Sequence, residues 1–337
     1  MAIKPHTPYP MRIPFFLRLP VICAPMFLIS NPRLVIAAAR AGIVGAFPNN
    51  NVRTSEEYEV WLNLIYRELW DAERARWSHP WAANLITHST NSRLPSDLKL
   101  VEKYKPPIVI TALGSPRPVI EVVHSYGGLV LADVVSLKLA YKAAQAGVDG
   151  MVCVCAGAGG HTGHLSPFAF VSAVRSFFDG LIVAGGGIAD GWGIAGAIAS
   201  GADLAYMGTR FIAAEESDAS EGHKRMIVAS NADELLVSVG ITGTPASWLR
   251  ASLVAAGIDI ENMATPEKLY DSAKSKDVRR WKDTWGAGQG LGAVTAIEPV
   301  SVIVDRLHGE FKIATTRMRQ YGEQPWKLQA SSETRNA

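Results

Sequence analysis

The chain has 337 residues, 48% hydrophobic and 19% charged, with a formal net charge of +2. That is enough apolar material for one large barrel or two ordinary domains, and the near-neutral balance excludes the basic footprint of a nucleic-acid binder. No uncharged apolar run approaches the ~18 residues of a membrane span, and the proline-rich N-terminus lacks a continuous signal core, so a cytoplasmic protein is expected.

In chain order, short apolar runs recur with helical segments between them. Strands are expected at 19–26, 42–48, 80–86, 106–114, 127–135, 150–155, 180–186 and 202–208. They are continuously apolar rather than alternating, as parallel strands covered on both faces are. Helices between them open on a polar cap and close on glycine: Asn31 to Gly42, Ser136 to Gly147, Asp190 to Gly201. Segment 54–78 reads as one long amphipathic helix with Trp61, Leu64, Ile65, Leu69 and Trp70 along one side. Eight such units predict a (β/α)8 barrel rather than an open sheet. The polar stretch that follows shows no clear strand and predicts an added C-terminal helical subdomain. The expected organisation is a barrel over 12–215, the subdomain over 216–290, a return and closing helix over 291–322, and a tail over 323–337.

Barrel chemistry gathers where the strands end, and the last three strands end unusually, in "AGAGGHTG", "AGGGIADG" and "MGTRF". Two glycine-rich ends on the final strands match the phosphate site of such barrels. Gly185, Gly186, Gly187, Gly208 and Thr209 would supply its backbone N–H groups. The "GAGGHT" run from Gly157 is no dinucleotide fingerprint, because Thr162 stands where a small residue belongs and the turn follows the sixth strand. His161 sits among glycines at a strand end, where a ring of near-neutral pKa can give or take a proton. His164 reads as a rim residue. Asp133, at the end of strand five, and Thr87 and His88, after "AANLI", are candidates for the substrate opening, and Gln289 for covering the phosphate side. The cysteines Cys23, Cys153 and Cys155 lie in apolar runs and complete no zinc spacing, so no metal is expected.

Together "AGGHTG", "AGGGIADG", "GADLAYMGTRF" and "GAGQGLG" resemble the nitronate monooxygenase family, from about Pro14 to Gly309. The family, formerly the 2-nitropropane dioxygenases, comprises FMN-binding barrels that include enoyl-acyl carrier protein reductases and flavin quinone reductases. The resemblance implies FMN as cofactor, with Ala24, Pro25 and Met26 against the flavin ring, Asn84 bonding it and Gly160 beside it. It implies that Gly185–Gly187 and Gly208–Thr209 form the phosphate cup and that His161 is catalytic. Where some relatives carry a lysine, this chain has Asp133, which as a carboxylate would make an anionic nitronate less welcome.

The expected function is FMN-dependent oxidation of nitronates or nitroalkanes by oxygen, giving a carbonyl compound and nitrite. A second reading keeps FMN but takes electrons from NAD(P)H and reduces an enoyl or acyl thioester, or a quinone. A third is a flavin-binding barrel without activity. A small-molecule substrate is expected in each catalytic case. Whether two copies pair as a homodimer stays open.

Overall fold

The computed structural model describes residues 16–263 and 281–323. Its strands, in chain order, are β1 (Val21–Cys23), β2 (Val44–Pro48), β3 (Trp70–Asp71), β4 (Arg76–Trp77), β5 (Trp81–Ile86), β6 (Ile108–Ala112), β7 (Leu129–Val134), β8 (Gly150–Val154), β9 (Gly160–His161), β10 (Leu181–Gly185), β11 (Leu204–Met207), β12 (Leu235–Ser238) and β13 (Ala246–Leu249). Eight of them close a barrel in the order β1-β11-β10-β8-β7-β6-β5-β2, every pairing parallel. These eight are the strands expected from the apolar runs, each trimmed at one or both ends.

Two apolar layers hold the barrel. Ile22, Val44, Ile110, Leu131, Val152 and Leu204 fill its interior. The intervening positions, such as Val130, Ala132 and Cys153, face the helices. Strands sandwiched in this way have no solvent face, which is why their sequence does not alternate. All three cysteines are buried and free.

The helix caps act as the sequence suggests. Asn31, Ser136 and Asp190 accept from the backbone amides of Leu34, Leu139 and Gly193, satisfying donors that a helix start leaves unpaired. The expected closing helix runs Val300–Glu323 and packs against both Gly191–Ala199 and Pro32–Arg40, sealing the ring of helices.

Two expectations are corrected. The helix after β2 stops at Leu69 rather than continuing to residue 78, and the chain doubles back in the β3–β4 hairpin. Trp70 and Trp77 pair across it with ring centroids 5.3 Å apart, and Trp77 packs edge-on to Trp81. An aromatic cluster against the barrel thus replaces a further helical turn, and Leu64 on the expected stripe lies outside, 45% exposed. In the added segment the described residues hold strands as well as helices. Helix Glu221–Ala229 is followed by β12 and β13, which pair antiparallel, and by helix Arg250–Ala255. β13 also pairs antiparallel with β9, joining this segment to the loop that carries His161. The rest of the expected helical stretch, 264–280, lies outside the described residues, as does the expected tail from residue 324.

Candidate active site

A cavity of about 2000 Å³ opens at the C-terminal ends of the barrel strands. It is lined by Ala24, Pro25 and Met26, Asn84, Asp133, Gly160 and His161, Gly185–Gly187, Gly208 and Thr209. The barrel thus gathers these predicted residues, drawn from five of its strands and the β9 loop, on one opening. His88 is not among the lining residues. Its Nδ1 lies 2.7 Å from Thr90 Oγ1, so the loop after β5 curls on itself instead of presenting the ring. Thr87 is also away from the cavity, buried, with its hydroxyl 3.4 Å from the Ala112 carbonyl.

The glycine cup follows from backbone that side chains would obstruct. Gly186 has φ +134°, and a Cβ there would stand 2.7 Å from the Ala156 carbonyl oxygen. Gly187 has φ +71° with its outer side open, the nearest atom to a Cβ being Gln289 Cβ at 4.0 Å. Its amide donates to the Gly157 carbonyl at 3.0 Å, which also accepts from Gln289 N at 2.9 Å. The Gly187 N–H is therefore already engaged. Gly208 and Thr209, at the start of the one-turn helix Thr209–Ile212, keep amides that no helical carbonyl can reach. Gly288 N donates to Thr209 Oγ1 at 2.8 Å, laying "GAGQG" across the cup, and Gln289 lies against Gly157 and Gly187. Gln289, expected to cover the phosphate side, is not itself among the lining residues.

Next to Gly208, since β1 pairs with β11, the turn after β1 is stapled by Asn51, which donates to the Met26 and Ser30 carbonyls at 3.0 and 2.7 Å and accepts from Leu28 N at 2.8 Å. Asn84 is 6% exposed and donates to the Ile110 carbonyl at 3.1 Å.

The His161 loop is far less free than its glycines suggest. Pairing of His161 with Ala246 and of Gly160 with Ser247 fixes its backbone. Thr162 N donates to Pro245 O at 3.1 Å, and Thr162 Oγ1 donates to Cys155 O at 3.1 Å. Gly160 has φ +63°, and Trp281 covers the side where a Cβ would sit. The His161 ring meets Trp281 edge-on, centroids 5.6 Å apart. Beside them His223, 4% exposed, stacks on Trp285 at 5.2 Å with its Nε2 3.3 Å from the Gly286 carbonyl. Burial pushes the His223 pKa down to about 4, so this ring is a neutral wall of the site.

Burial raises the Asp133 carboxyl to about 7. Repulsion of an anionic substrate, expected from the sequence, therefore operates only above that pH. Asp133 Oδ1, Tyr206 Oη and the side-chain oxygens of Asn49 and Asn50 are buried at the cavity without a partner among the described residues. Orphaned polar atoms beside a glycine cradle fit a large ligand that combines a phosphate with a polar ring, as FMN does. Sequence reasoning did not find Tyr206, His223, Trp281 or the asparagine pair. Among the described residues, no cluster of three or more His, Cys, Asp or Glu is arranged for a metal, and no helix is long and apolar enough to cross a membrane.

The family model described as nitronate monooxygenase matches residues 11–308. The chain belongs to the nitronate monooxygenase family. Like that family it is an FMN-dependent oxidoreductase. A nitronate monooxygenase of Paraburkholderia phytofirmans is 29% identical, over 90% of this chain and 94% of that protein. A 5-hydroxy-7a-methyl-1-oxo-octahydro-1H-indene-4-carboxyl-CoA dehydrogenase of Rhodococcus jostii is 28% identical over 70% of this chain and 64% of that protein. Among solved structures, FabK from Thermotoga maritima is 26% identical with a TM-score of 0.76, covering 90% of this chain and 96% of that one.

Proposed function

We propose that this member of the family oxidises nitronates and their parent nitroalkanes with oxygen, releasing a carbonyl compound and nitrite, with His161 as the proton-handling residue. Bound FMN would supply the two-electron redox chemistry and the route to oxygen. Gly186, Gly208 and Thr209 would hold its phosphate through backbone, Ala24–Met26 and Gly160 would lie along its ring, and Asn84 would bond it. The observation that carries the reading is the β9–β13 pairing, which fixes an imidazole on the cavity that also contains the glycine cup. An imidazole held there can take the α-proton of a neutral nitroalkane. Toward a nitronate, which has already lost that proton, the same ring needs only to donate a hydrogen bond to a nitro oxygen.

The second reading, NAD(P)H-dependent reduction of an acyl thioester or a quinone, draws support from the size of the cavity. About 2000 Å³ far exceeds a small nitronate, and exposed Arg53, Arg117, Lys142 and Lys282 stand around its mouth, where a phosphate-bearing carrier would find cations. One anaerobic experiment decides between them. The FMN-loaded protein is mixed separately with NADH, NADPH and a nitronate while flavin absorbance is followed. Bleaching by the nitronate alone supports the first reading. Bleaching by a reduced nicotinamide alone replaces it with the second.

A further inference from the structure

Two polar groups on the cavity floor have no role in the reading above. Along β7, Leu129 and Leu131 pack in the barrel interior while Val130, Ala132 and Val134 face the helices. Period-two alternation therefore turns Asp133 inward. Along β11 the same alternation, with Leu204 inside, turns Tyr206 inward, where it packs with the interior cluster. Both line the cavity, and Asp133 Oδ1 and Tyr206 Oη are buried there with no hydrogen-bond partner among the described residues. A buried polar group left unpaired forfeits its hydration with nothing in return. Two such groups facing one opening mark a place where a ligand completes the bonding.

The surroundings decide which kind of ligand. Among the described residues, no cation is paired with Asp133. Arg93 is held by Asp97 and by the Asn49 and Val52 carbonyls. Asp218 accepts from Asn31. Arg53, Arg117, Lys142 and Lys282 are exposed at the mouth, His161 and His223 belong to the roof, and the nearby strand β8 offers only Val152 and Val154. Burial is accordingly what raises the Asp133 carboxyl. Burial also raises the Tyr206 phenol, followed by Asp133 and then the buried Cys23, so the acid and the phenol sense one another. A buried charge without a partner gives way to the neutral form, and a neutral acid and a neutral phenol both offer O–H donors.

We propose that Asp133, as an uncharged carboxylic acid, and Tyr206 form a two-donor site that binds an oxygen acceptor of the ligand, a carbonyl or nitro oxygen. The proposal rests on the flavin-enzyme reading. The acceptor has two sources, the carbonyl edge of the flavin ring or the substrate itself, and the test separates them.

Infrared difference spectra of wild type against Asp133→Asn read the protonated carboxyl stretch without any turnover. At about pH 6, below the value of about 7 that burial sets, the carboxylic-acid band should be present in wild type. It should shift when FMN is added to the apoprotein if the flavin is the partner, and only when 2-nitropropane is added to the FMN-loaded protein if the substrate is. The Kd of that same ligand should rise about tenfold for each pH unit above about 7 in wild type and stay flat in Asp133→Asn, which keeps an uncharged donor. Tyr206→Phe should weaken it roughly tenfold at every pH. Absence of the band at about pH 6, or a band that neither ligand moves in protein shown to have bound both, overturns the proposal. A wild type that binds no FMN at any pH instead sinks the flavin reading, and the proposal with it.

Discussion

Replacing Gly208 with alanine separates the cup's role in binding from its role in folding. Gly208 has φ −99°, which any residue adopts, and an added Cβ would meet Met26 Sδ at 3.5 Å and Ala24 Cβ at 3.7 Å, ordinary contacts. The apoprotein should keep its stability to within about 0.5 kcal/mol. Gly186→Ala is the opposite case. Its φ of +134° is one that side chains rarely adopt, and its Cβ would press to 2.7 Å on the Ala156 carbonyl oxygen, an atom fixed in backbone. Strain of about 1–3 kcal/mol should appear even without ligand. Gly187→Ala should fall between them, with φ +71° but open space outward. If phosphate oxygens approach the Gly208 and Thr209 amides, the methyl of Gly208→Ala occupies their path. FMN affinity should then drop at least tenfold, about 1.4 kcal/mol. The assay pairs thermal melts of the three apoproteins with fluorescence titration of FMN. A Gly208→Ala protein as stable as wild type that binds FMN as tightly would refute the placement of the phosphate.

Removing the imidazole with His161→Ala should leave FMN content unchanged and lower nitroalkane turnover on the order of 10²–10⁴-fold; a preformed nitronate should suffer much less, and equal loss on both substrates would rule out proton transfer. His223, held near 4 by burial, binds its proton more weakly folded than unfolded, so stability should be level above about pH 6.5 and fall by about 3 kcal/mol as pH drops toward 4. Chemical denaturation of wild type against His223→Gln across that window checks the sign, since the variant should lose this part of the slope. Asp97, fully buried, accepts from Arg93 Nε at 3.0 Å, Asn49 Nδ2 at 2.6 Å and Ser55 Oγ at 2.7 Å. Asp97→Ala leaves that guanidinium without its counter-charge and should cost about 3–5 kcal/mol by urea titration; a loss below about 1 kcal/mol would show that water replaces the carboxylate.

The barrel was legible because its strands are apolar on both faces and its helices start on Asn31, Ser136 and Asp190, signals that act within a few residues. That same two-sided apolarity hid which side chains point inward, so Tyr206 looked like one more core residue of "LAYM". Trp70 and Trp77 are seven apart, a spacing that lies on one face of a helix and equally puts two residues opposite each other in a tight hairpin. Nothing local chooses between them; contact with Trp81 does. His161 stood out as an ionisable ring among glycines, yet its two-residue strand is too short to carry a period, and its partner Ala246 is 85 positions later. His223 lies on a plain helix, where only the packing of Trp285 reveals its place.

The sheet formed by β12, β13 and β9 divides custody of the reaction. The proposed flavin cup belongs to the barrel, built on strands that cannot move without opening its closed ring of hydrogen bonds. The imidazole belongs to a small awning whose other two strands come from the added segment. Exchanging residues 235–249 between relatives should therefore re-aim the proposed base, His161, and reshape its side of the chamber while leaving the glycine cup as it was. A lineage could change what it oxidises by altering the awning, without relearning how to hold its flavin.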